Sequence, residues 1–296
     1  MQHITVLKEE AVQGLALIPT DTVVDATFGG GGHARAIISH LERRGCYIGI
    51  DADSTAFTDQ TFPEASCEIH LVSDNFKNIL PITRSLHKNN IDAILADLGW
   101  RMDQFAEGEK GFSFMKDEPL LMTYGNPDTY DFTARDIVNG WAEESISDIV
   151  FGYGEERFSR RIAKAIVDFR KHTPIETTKQ LVDIIAEALP KSAQYKKTNS
   201  ATKTFQALRI AVNDELGVLE TFLKESFELL APGGRLAIIT FHSLEDRVVK
   251  QTFRMLKDAD LAELLTKKPI TPSPEELAIN PRARSAKLRI IKKATS

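Results

Sequence analysis

Short apolar runs alternate with amphipathic stretches along the first hundred residues of the chain. This pattern predicts four strands, over 22–28, 46–53, 67–74 and 91–99. A helix is predicted between the first two strands, over 33–44. Strands return near the end of the chain, over 233–241 and 286–292. Strands that alternate with helices indicate a parallel sheet covered by helices on both faces, so we predict the α/β class.

Between about residue 104 and residue 200 the spacing of apolar positions becomes helical. The runs that show this spacing are FTARDIVN, EESISDIVFGY, RFSRRIAKAIVDFRK and TKQLVDIIAEAL. The simplest interpretation is a sheet domain that is interrupted by a helical domain. We therefore predict a sheet domain made of residues 1–103 and 204–296, and an inserted helical domain made of residues 104–203.

The composition is ordinary for a globular protein, with 42% hydrophobic and 27% charged residues in a chain of 296. No apolar run approaches the roughly 18 residues of a membrane span, and the first residues lack the pattern of a signal peptide. The two cysteines have no metal-ligand spacing, so we expect a cytoplasmic protein without a metal or a membrane partner. The net charge of −5 does not indicate a nucleic-acid binder, although local basic segments can still bind one.

The sequence DATFGGGGHA, at residues 25–34, joins the first predicted strand to the first predicted helix. Glycines cost roughly 0.5–1 kcal/mol each relative to alanine in regular structure, so a turn without a ligand is a weak explanation. The run can be aligned with the dinucleotide fingerprint, with Asp51 about twenty residues on, which keeps NAD open. However, Asp25 is a poor neighbour for a pyrophosphate. Its carboxylate suits the cationic groups of S-adenosylmethionine (SAM), which is the cofactor we expect.

Three aspartates lie near the carboxyl ends of three of the predicted strands: Asp25, Asp51 and Asp97. Ligands of open α/β sheets bind outside the carboxyl ends of the strands, so the three side chains should face one crevice. Like charges repel, which makes three clustered acids hard to explain as stabilising groups. We expect Asp51 to accept hydrogen bonds from ribose hydroxyls. Asp97 either caps the next segment or orients an amine towards a methyl group.

Several long runs together resemble one family of enzymes. They include DATFGGGGHARAI (25–37), FQALRIAVNDEL (205–216) and FHSLEDR (241–247), and the similarity extends over nearly the whole chain. The chain resembles the bacterial SAM-dependent 16S ribosomal RNA cytosine-N4 methyltransferases, the RsmH or MraW family. The resemblance implies a Rossmann-like class I methyltransferase sheet domain with an inserted helical domain. It also implies methylation of N4 of cytosine 1402 in the 16S rRNA of the small ribosomal subunit.

The resemblance also implies which residues form the site. With the Asp25 inferred above, the expected cofactor-binding residues are Asp25, Gly31, Gly32, His33, Asp51, Phe76, Asp97 and Gln104. Asp97 is the expected catalytic residue, because it would hold the acceptor amine beside the methyl group. Phe76 is expected to pack against the adenine, although a lone phenylalanine after a strand is often a core residue.

Three segments depart from the family pattern. Where the family pattern reads D-L-G-V-S-S-P-Q, this chain has Arg101, Met102 and Asp103 in place of S-S-P. Where the family pattern reads P-L-D-M-R-M, this chain has Leu121 and Thr123 in place of the acid and the arginine. The pattern H-P-A-T-R-T-F-Q is replaced by the sequence of 199–206. Because the glycine loop is intact, SAM binding is expected. Because the departures lie in segments expected around the acceptor base, two alternatives to the family function stay open. The chain is either a diverged enzyme that acts on another RNA or base, or a non-catalytic SAM-binding protein of the ribosome.

Basic residues cluster in 280–293, in 190–203 and in 157–164, which is consistent with local contacts to phosphates. The expected RNA-binding residues are Arg209, Asn213, His242, Ser243, Arg247, Arg282 and Arg284. Two alternatives stay open for them. Arg209 and Asn213 are equally consistent with an internal polar network, and the acids of FHSLEDR can simply cap the helix that follows.

Overall fold

The computed structural model describes residues 4–58, 60–99, 110–190 and 200–295. The chain forms two compact units, one made of Met1–Trp100 and Leu216–Ser296, the other of Arg101–Glu215. The second unit ends at Glu215, whereas the predicted insertion ends at residue 203, because the helix Thr202–Asn213 is grouped with the other helices.

The first unit is built on a seven-stranded sheet. Its strands are β1 (Thr22–Asp25), β2 (Cys46–Asp51), β3 (Glu68–Ser73), β4 (Ile91–Asp97), β5 (Leu230–Thr240), β6 (Ala262–Leu264) and β7 (Lys287–Lys293). Their order is β3-β2-β1-β4-β5-β7-β6, and β7 runs antiparallel to both of its neighbours. All neighbouring strands from β3 to β5 in this order pair in parallel. The predicted α/β class is confirmed, because parallel strands alternate with helices, while β6 was not predicted.

The helices of the described residues are α1 (Lys8–Leu15), α2 (Gly32–Ile38), α3 (Ile79–Ser85), α4 (Ala134–Gly140), α5 (Glu143–Gly152), α6 (Ser159–Arg170), α7 (Thr178–Ala188), α8 (Thr202–Asn213), α9 (Glu215–Leu229), α10 (Ser243–Asp258) and α11 (Pro274–Ile279). In the part of the chain that the structure describes, no helix combines the length and the apolar character needed to cross a membrane.

Strand β2 shows why the sheet is covered on both faces. Tyr47 belongs to one core cluster, together with Leu15 of α1 and Ile37 of α2. Ile48 belongs to the other cluster, together with Phe222 of α9. A strand that buries both of its faces has an almost continuous apolar sequence, which is typical of parallel sheets.

The second unit has its own apolar core, formed by the helices α4 to α8. Residues of this core are Leu120, Ile137, Ile162, Leu181 and Leu208. Two of its helices begin at capping boxes, in which a threonine and the side chain three residues later satisfy each other's backbone N–H groups. These boxes are formed by Thr133 with Asp136, and by Thr177 with Gln180.

Candidate cofactor-binding and active site

The three aspartates lie at the same edge of the sheet, as the sequence predicts. Asp25, Asp51 and Asp97 are the last residues of β1, β2 and β4. Strand β1 lies between the other two and is parallel to both. The carboxyl ends of three neighbouring strands therefore carry one carboxylate each, and the glycine loop begins directly beside them.

The glycine loop is held by hydrogen bonds at both of its ends. Gly29 and Gly31 have positive φ angles of 56° and 74°, a conformation that side chains disfavour. The N–H of Gly29 donates to Oδ2 of Asp51 at 2.8 Å. Arg35 of α2 donates to the carbonyl oxygens of Gly30 and Gly31, at 3.2 and 3.0 Å. Hydrogen bonds within the chain therefore hold the backbone of this loop.

The need for a glycine at position 32 comes from a contact within the protein. A Cβ atom at this position would lie 1.7 Å from Oγ1 of Thr5 and 2.9 Å from its Cβ. No side chain fits there unless the segment that contains Thr5 moves. The explanation that the whole glycine run makes room for a cofactor is therefore incomplete, because this glycine makes room for Thr5.

Replacing Gly32 with alanine is expected to lower the free energy of unfolding by about 1–3 kcal/mol, because the new methyl group overpacks the contact with Thr5. Urea denaturation measures the change. Gly140→Ala is the matched control, since a Cβ there would meet no atom within 4 Å. An unchanged midpoint for Gly32→Ala would contradict the clash.

His33, in the first turn of α2, is a buried polar residue beside Asp97. Its side chain is 4% exposed, and its Nε2 atom lies 3.4 Å from Oδ2 of Asp97. This contact is within the range of an ion pair but lacks hydrogen-bond geometry. Among the described residues, neither ring nitrogen has a hydrogen-bond partner. An unsatisfied buried polar group costs about 1–3 kcal/mol, so the ring nitrogens of His33 need a hydrogen-bond partner that the described residues do not supply.

Asp97 is held in one orientation. Its Oδ1 atom accepts a hydrogen bond from the N–H of Gly99 at 2.9 Å, and its own N–H donates to Oγ1 of Thr27 at 2.6 Å. A Cβ on Gly99 would lie 2.8 Å from Oδ1 of Asp97 and 2.7 Å from the ring of Phe241, so only glycine fits beside the carboxylate. The side chain of Asp97 is 14% exposed, which leaves an edge open to a ligand.

Asp25 lies beneath the site. It is fully buried, and the hydroxyl of Tyr47 donates to its Oδ2 atom at 2.9 Å. Burial raises the pKa of Asp25 from 3.8 to about 6, although His33 and the Tyr47 hydrogen bond act in the opposite direction. Ionising Asp25 therefore costs folding stability as the pH rises from about 4 to about 6. Asp25 has no exposed surface, so its carboxylate supports the site from below. No oxygen of Asp25 is exposed for the cofactor contact that the sequence predicts.

Asp51 and Phe76 both border the site at intermediate exposure. The carboxylate oxygens of Asp51 accept hydrogen bonds from the N–H groups of Gly29 and Asp53, at 2.8 and 2.9 Å. The ring of Phe76 packs edge-on against Phe222, with centroids 5.1 Å apart. Phe76 is thus partly a core residue and partly accessible.

In the first unit, the structure gives His242 a structural role. It is the N-cap of α10 and forms a capping box with Glu245, whose Oε2 atom accepts from the N–H of His242 at 3.2 Å. This is the capping alternative that the sequence left open, with His242 as the capping residue. The other predicted RNA contacts of this unit are exposed: Ser243, Arg247, Arg282 and Arg284.

In the second unit, Arg209 and Asn213 take part in an internal polar network. Arg209 forms a bidentate pair with Glu215, with N···O distances of 2.7 and 3.0 Å. Asn213 donates to the carbonyl of Met122 at 2.8 Å and accepts from the N–H of Tyr124 at 3.1 Å. These contacts agree with the network alternative, and an RNA contact for either residue stays a prediction.

The basic run near the end of the chain is divided between internal and external roles. Arg289 and Lys287 pair with Asp246, at 2.7 and 3.0 Å. Lys293 donates to the carbonyl of Leu230 at 2.7 Å. The sequence did not indicate the partners of Asp246, because helix capping explained this acid equally well.

Several predicted positions lie outside the described residues. They are Gln104, the departures at 101–103, and the lysines Lys191, Lys196 and Lys197. The sequence analysis also missed Tyr47 and Thr27, which the structure places in hydrogen bonds with Asp25 and Asp97. A usable signal existed for Tyr47, because a tyrosine in a buried strand needs a partner for its hydroxyl.

Comparisons with known proteins cover the whole chain. Residues 1–294 match the MraW methylase family. The chain is 40% identical to a protein of Clostridioides difficile (strain 630), with 98% of each chain covered. It is 43% identical to one of Brevibacillus brevis, again with 98% of each covered. It is 45% identical to one of Symbiobacterium thermophilum, covering 98% of this chain and 96% of the relative. All three relatives are named ribosomal RNA small subunit methyltransferase H.

Proposed function

The chain belongs to the MraW methylase family, and on that premise we propose that it methylates N4 of cytosine 1402 in 16S ribosomal RNA, with SAM as methyl donor. The observation that carries this proposal is the identity of 40–45% to three small-subunit rRNA methyltransferases over 98% of the chain. The site described above supplies the side chains that this reaction needs.

The residues of the glycine loop fit SAM. The ring nitrogens of His33 are buried and lack partners among the described residues, so a polar group of the cofactor satisfies them. Gly29 and Gly31 have positive φ angles, which disfavour a side chain at these two positions of the loop. We propose that the Asp51 carboxylate, which borders the site at intermediate exposure, accepts hydrogen bonds from the ribose hydroxyls. We propose Gly31, Gly32, His33, Asp51, Phe76 and Asp97 as the described cofactor-binding residues, with Gln104 beyond them.

SAM supplies a methyl group bound to a sulfonium, which makes the methyl carbon electrophilic. The chain has to place the N4 amine of cytosine in line with that carbon. We assign this task to Asp97, whose Oδ2 atom faces His33 while its Oδ1 atom is held by the N–H of Gly99. A hydrogen bond from the amine to Asp97 orients the nitrogen lone pair, so that the gain is mainly one of positioning. The new N–C bond would form as the bond between the methyl carbon and sulfur breaks, leaving S-adenosylhomocysteine, and the cationic amine would then release one proton to solvent.

The RNA partner is the small ribosomal subunit, and the proposed place of action is the cytoplasm. Four side chains between Arg157 and Lys164 are exposed and basic, as are Arg282 and Arg284. Cations spaced in this way favour contacts with phosphates, so binding of the subunit should weaken steeply as salt rises. The target cytosine has to leave its stack to reach the crevice.

Labelled SAM tests the proposal directly. The protein is incubated with small ribosomal subunits from cells that lack their usual N4-methyltransferase, and the RNA is digested to nucleosides. Labelled N4-methylcytidine at the family site is the expected product. SAM binding without any label in this RNA would contradict the proposed acceptor.

A diverged acceptor is the second candidate, and one observation favours it. Thr123 stands where the family pattern has an arginine, and it is fully buried. This position therefore offers no cation to an RNA phosphate. Label in another cellular RNA, with none in the small subunit, would support this candidate.

Replacing Asp51 with asparagine is expected to weaken SAM binding about tenfold to a hundredfold, because hydrogen bonds to charged groups contribute about 1.5–3 kcal/mol. Calorimetric titration measures the affinity. Asp92→Asn is the control, since Asp92 accepts from the N–H of Thr22 at 2.8 Å, near the start of β1. Equal affinities of the two variants would contradict the role of Asp51.

A further inference from the structure

Tyr47 carries a hydroxyl group into the core of the first unit. Its side chain is fully buried on β2, and the hydroxyl donates to Oδ2 of Asp25 at 2.9 Å. Burial and the neighbouring charge of Asp25 raise the pKa of Tyr47 well above its ordinary value. The hydroxyl therefore keeps its proton and acts as a permanent donor to Asp25.

The register of the sheet explains how this tyrosine reaches Asp25. Asp25 lies opposite Gly49 on β2, and Tyr47 is two residues before Gly49, on the same face of the strand. A Cβ on Gly49 would lie 3.1 Å from the ring of Tyr47 and 2.9 Å from Phe28. The missing side chain of Gly49 thus leaves space for the tyrosine ring to extend along β2 towards the end of β1.

Beyond Asp25 the hydrogen bonds continue to the proposed catalytic residue. Oδ1 of Asp25 accepts from the N–H of Thr27 at 3.3 Å. Oγ1 of Thr27 accepts from the N–H of Asp97 at 2.6 Å. These bonds join β2 to the end of β1 and then to the end of β4. We call Tyr47, Asp25, Thr27 and Asp97 the strand-end relay.

We propose that Tyr47 is a positioning residue for methyl transfer: through Asp25 and Thr27, its hydroxyl sets the place of the Asp97 carboxylate. This inference rests on the proposed function, since it gives Asp97 its role. It explains why a carboxylate and a phenol are both buried beside the glycine loop, where apolar side chains would stabilise the fold more.

The electrostatics of Asp25 agree with this geometry. The groups that face its carboxylate are His33, Tyr47, Asp97 and the backbone of Thr27. Burial and Asp97 raise the pKa of Asp25, whereas His33, Tyr47 and Thr27 lower it. Removing the tyrosine hydroxyl takes away one bond that favours the ionised form. The midpoint of Asp25 ionisation should therefore rise above its value of about 6.

Tyr47→Phe removes only the hydroxyl and is the central variant. We expect two changes: the carboxyl resonance of Asp25 in the cofactor-free protein titrates on the order of one pH unit higher, and kcat at pH 7 falls about tenfold. The acid limb of the kcat profile should move upward with the Asp25 titration. A role limited to packing would not move this limb.

Two further variants separate the relay from general loss of stability. Ile48→Val removes one methyl group from the next residue of β2, which packs in the opposite core cluster. It should lower stability by about 0.5–1.5 kcal/mol and leave the pH profile unchanged. Thr27→Val should repeat the loss of kcat, because it removes the acceptor for the Asp97 N–H, whereas Thr27→Ser should retain most activity.

The outcomes distinguish the relay from the proposed function. Wild-type protein that binds SAM but methylates no ribosomal RNA contradicts the proposed function, whatever the variants do. Tyr47→Phe with wild-type Asp25 titration contradicts the relay, and no acceptor is needed to see this. A shifted Asp25 titration with an unchanged kcat profile also contradicts it, because the hydroxyl would then not act on the reaction.

Discussion

Asp97→Asn is expected to lower kcat for methyl transfer by about 10²–10⁴-fold, while SAM affinity changes by less than about tenfold. The substitution keeps the size of the side chain but removes its charge. It also places an amide NH₂ group where the acceptor amine needs an oxygen. Single-turnover rates with saturating SAM measure the effect, and calorimetry measures the affinity separately.

The physical reason lies in how firmly Asp97 is held. Its backbone N–H is bonded to Thr27, and Oδ1 is bonded to the N–H of Gly99, so the carboxylate presents Oδ2 in one direction. A group held in this way pays little entropy when the acceptor arrives. The loss should therefore appear in kcat, because the interaction matters most while the nitrogen attacks.

Asp92→Asn is the matched control for this prediction. Asp92 lies on the same strand, β4, but accepts from the N–H of Thr22, near the start of β1. It should cost some stability and leave kcat within about twofold of the wild type. Asp97→Asn with wild-type kcat would show that Asp97 only caps the segment that follows β4.

Much of the site follows from local sequence. An apolar run that ends in an acid places Asp25, Asp51 and Asp97 at strand ends, and parallel strands bring those ends to one edge. The glycine run next to the first of these acids then locates the cofactor loop. These inferences need only the order of residues along the chain and the rules of open α/β sheets.

What escaped the sequence analysis depends on contacts between distant residues. The need for a glycine at Gly32 comes from Thr5, and the partner of Tyr47 is set by the register between β1 and β2. Strand β6 has only three residues, too few to show a period. The sequence left helix capping by the acids of FHSLEDR open but did not indicate that His242 forms the capping box with Glu245, and an RNA contact of His242 stays a prediction.

Asp246→Ala is expected to lower the free energy of unfolding by about 3–5 kcal/mol. Asp246 and Arg289 are both buried, at 8% and 7% exposure, and their N···O distance is 2.7 Å. Removing the acid leaves the guanidinium of Arg289 buried without its carboxylate. Denaturation in urea at pH 7 measures the loss, and catalysis is not needed for this test.

Two comparisons show whether the unpaired charge is the cause. Asp258→Ala removes an exposed acid at the end of the same helix, α10, whose ion pairs are also exposed. It should cost no more than about 1 kcal/mol. The double variant Asp246→Leu with Arg289→Leu should recover most of the loss, because an apolar pair leaves no buried charge. A double variant as unstable as Asp246→Ala would contradict this explanation.

The pH dependence gives an independent check on Asp246. Burial alone would raise its pKa, but the hydrogen bonds from Arg289 and Lys287 outweigh burial, so the pKa is lowered from 3.8. An acid with a lowered folded-state pKa stabilises the protein above its unfolded pKa, and this stability is lost as the pH falls through the folded value. The difference between wild type and Asp246→Ala should therefore be largest near neutral pH and narrow below about pH 4. A difference that stays constant down to pH 2 would mean that Asp246 acts through packing, because protonating it would then change nothing.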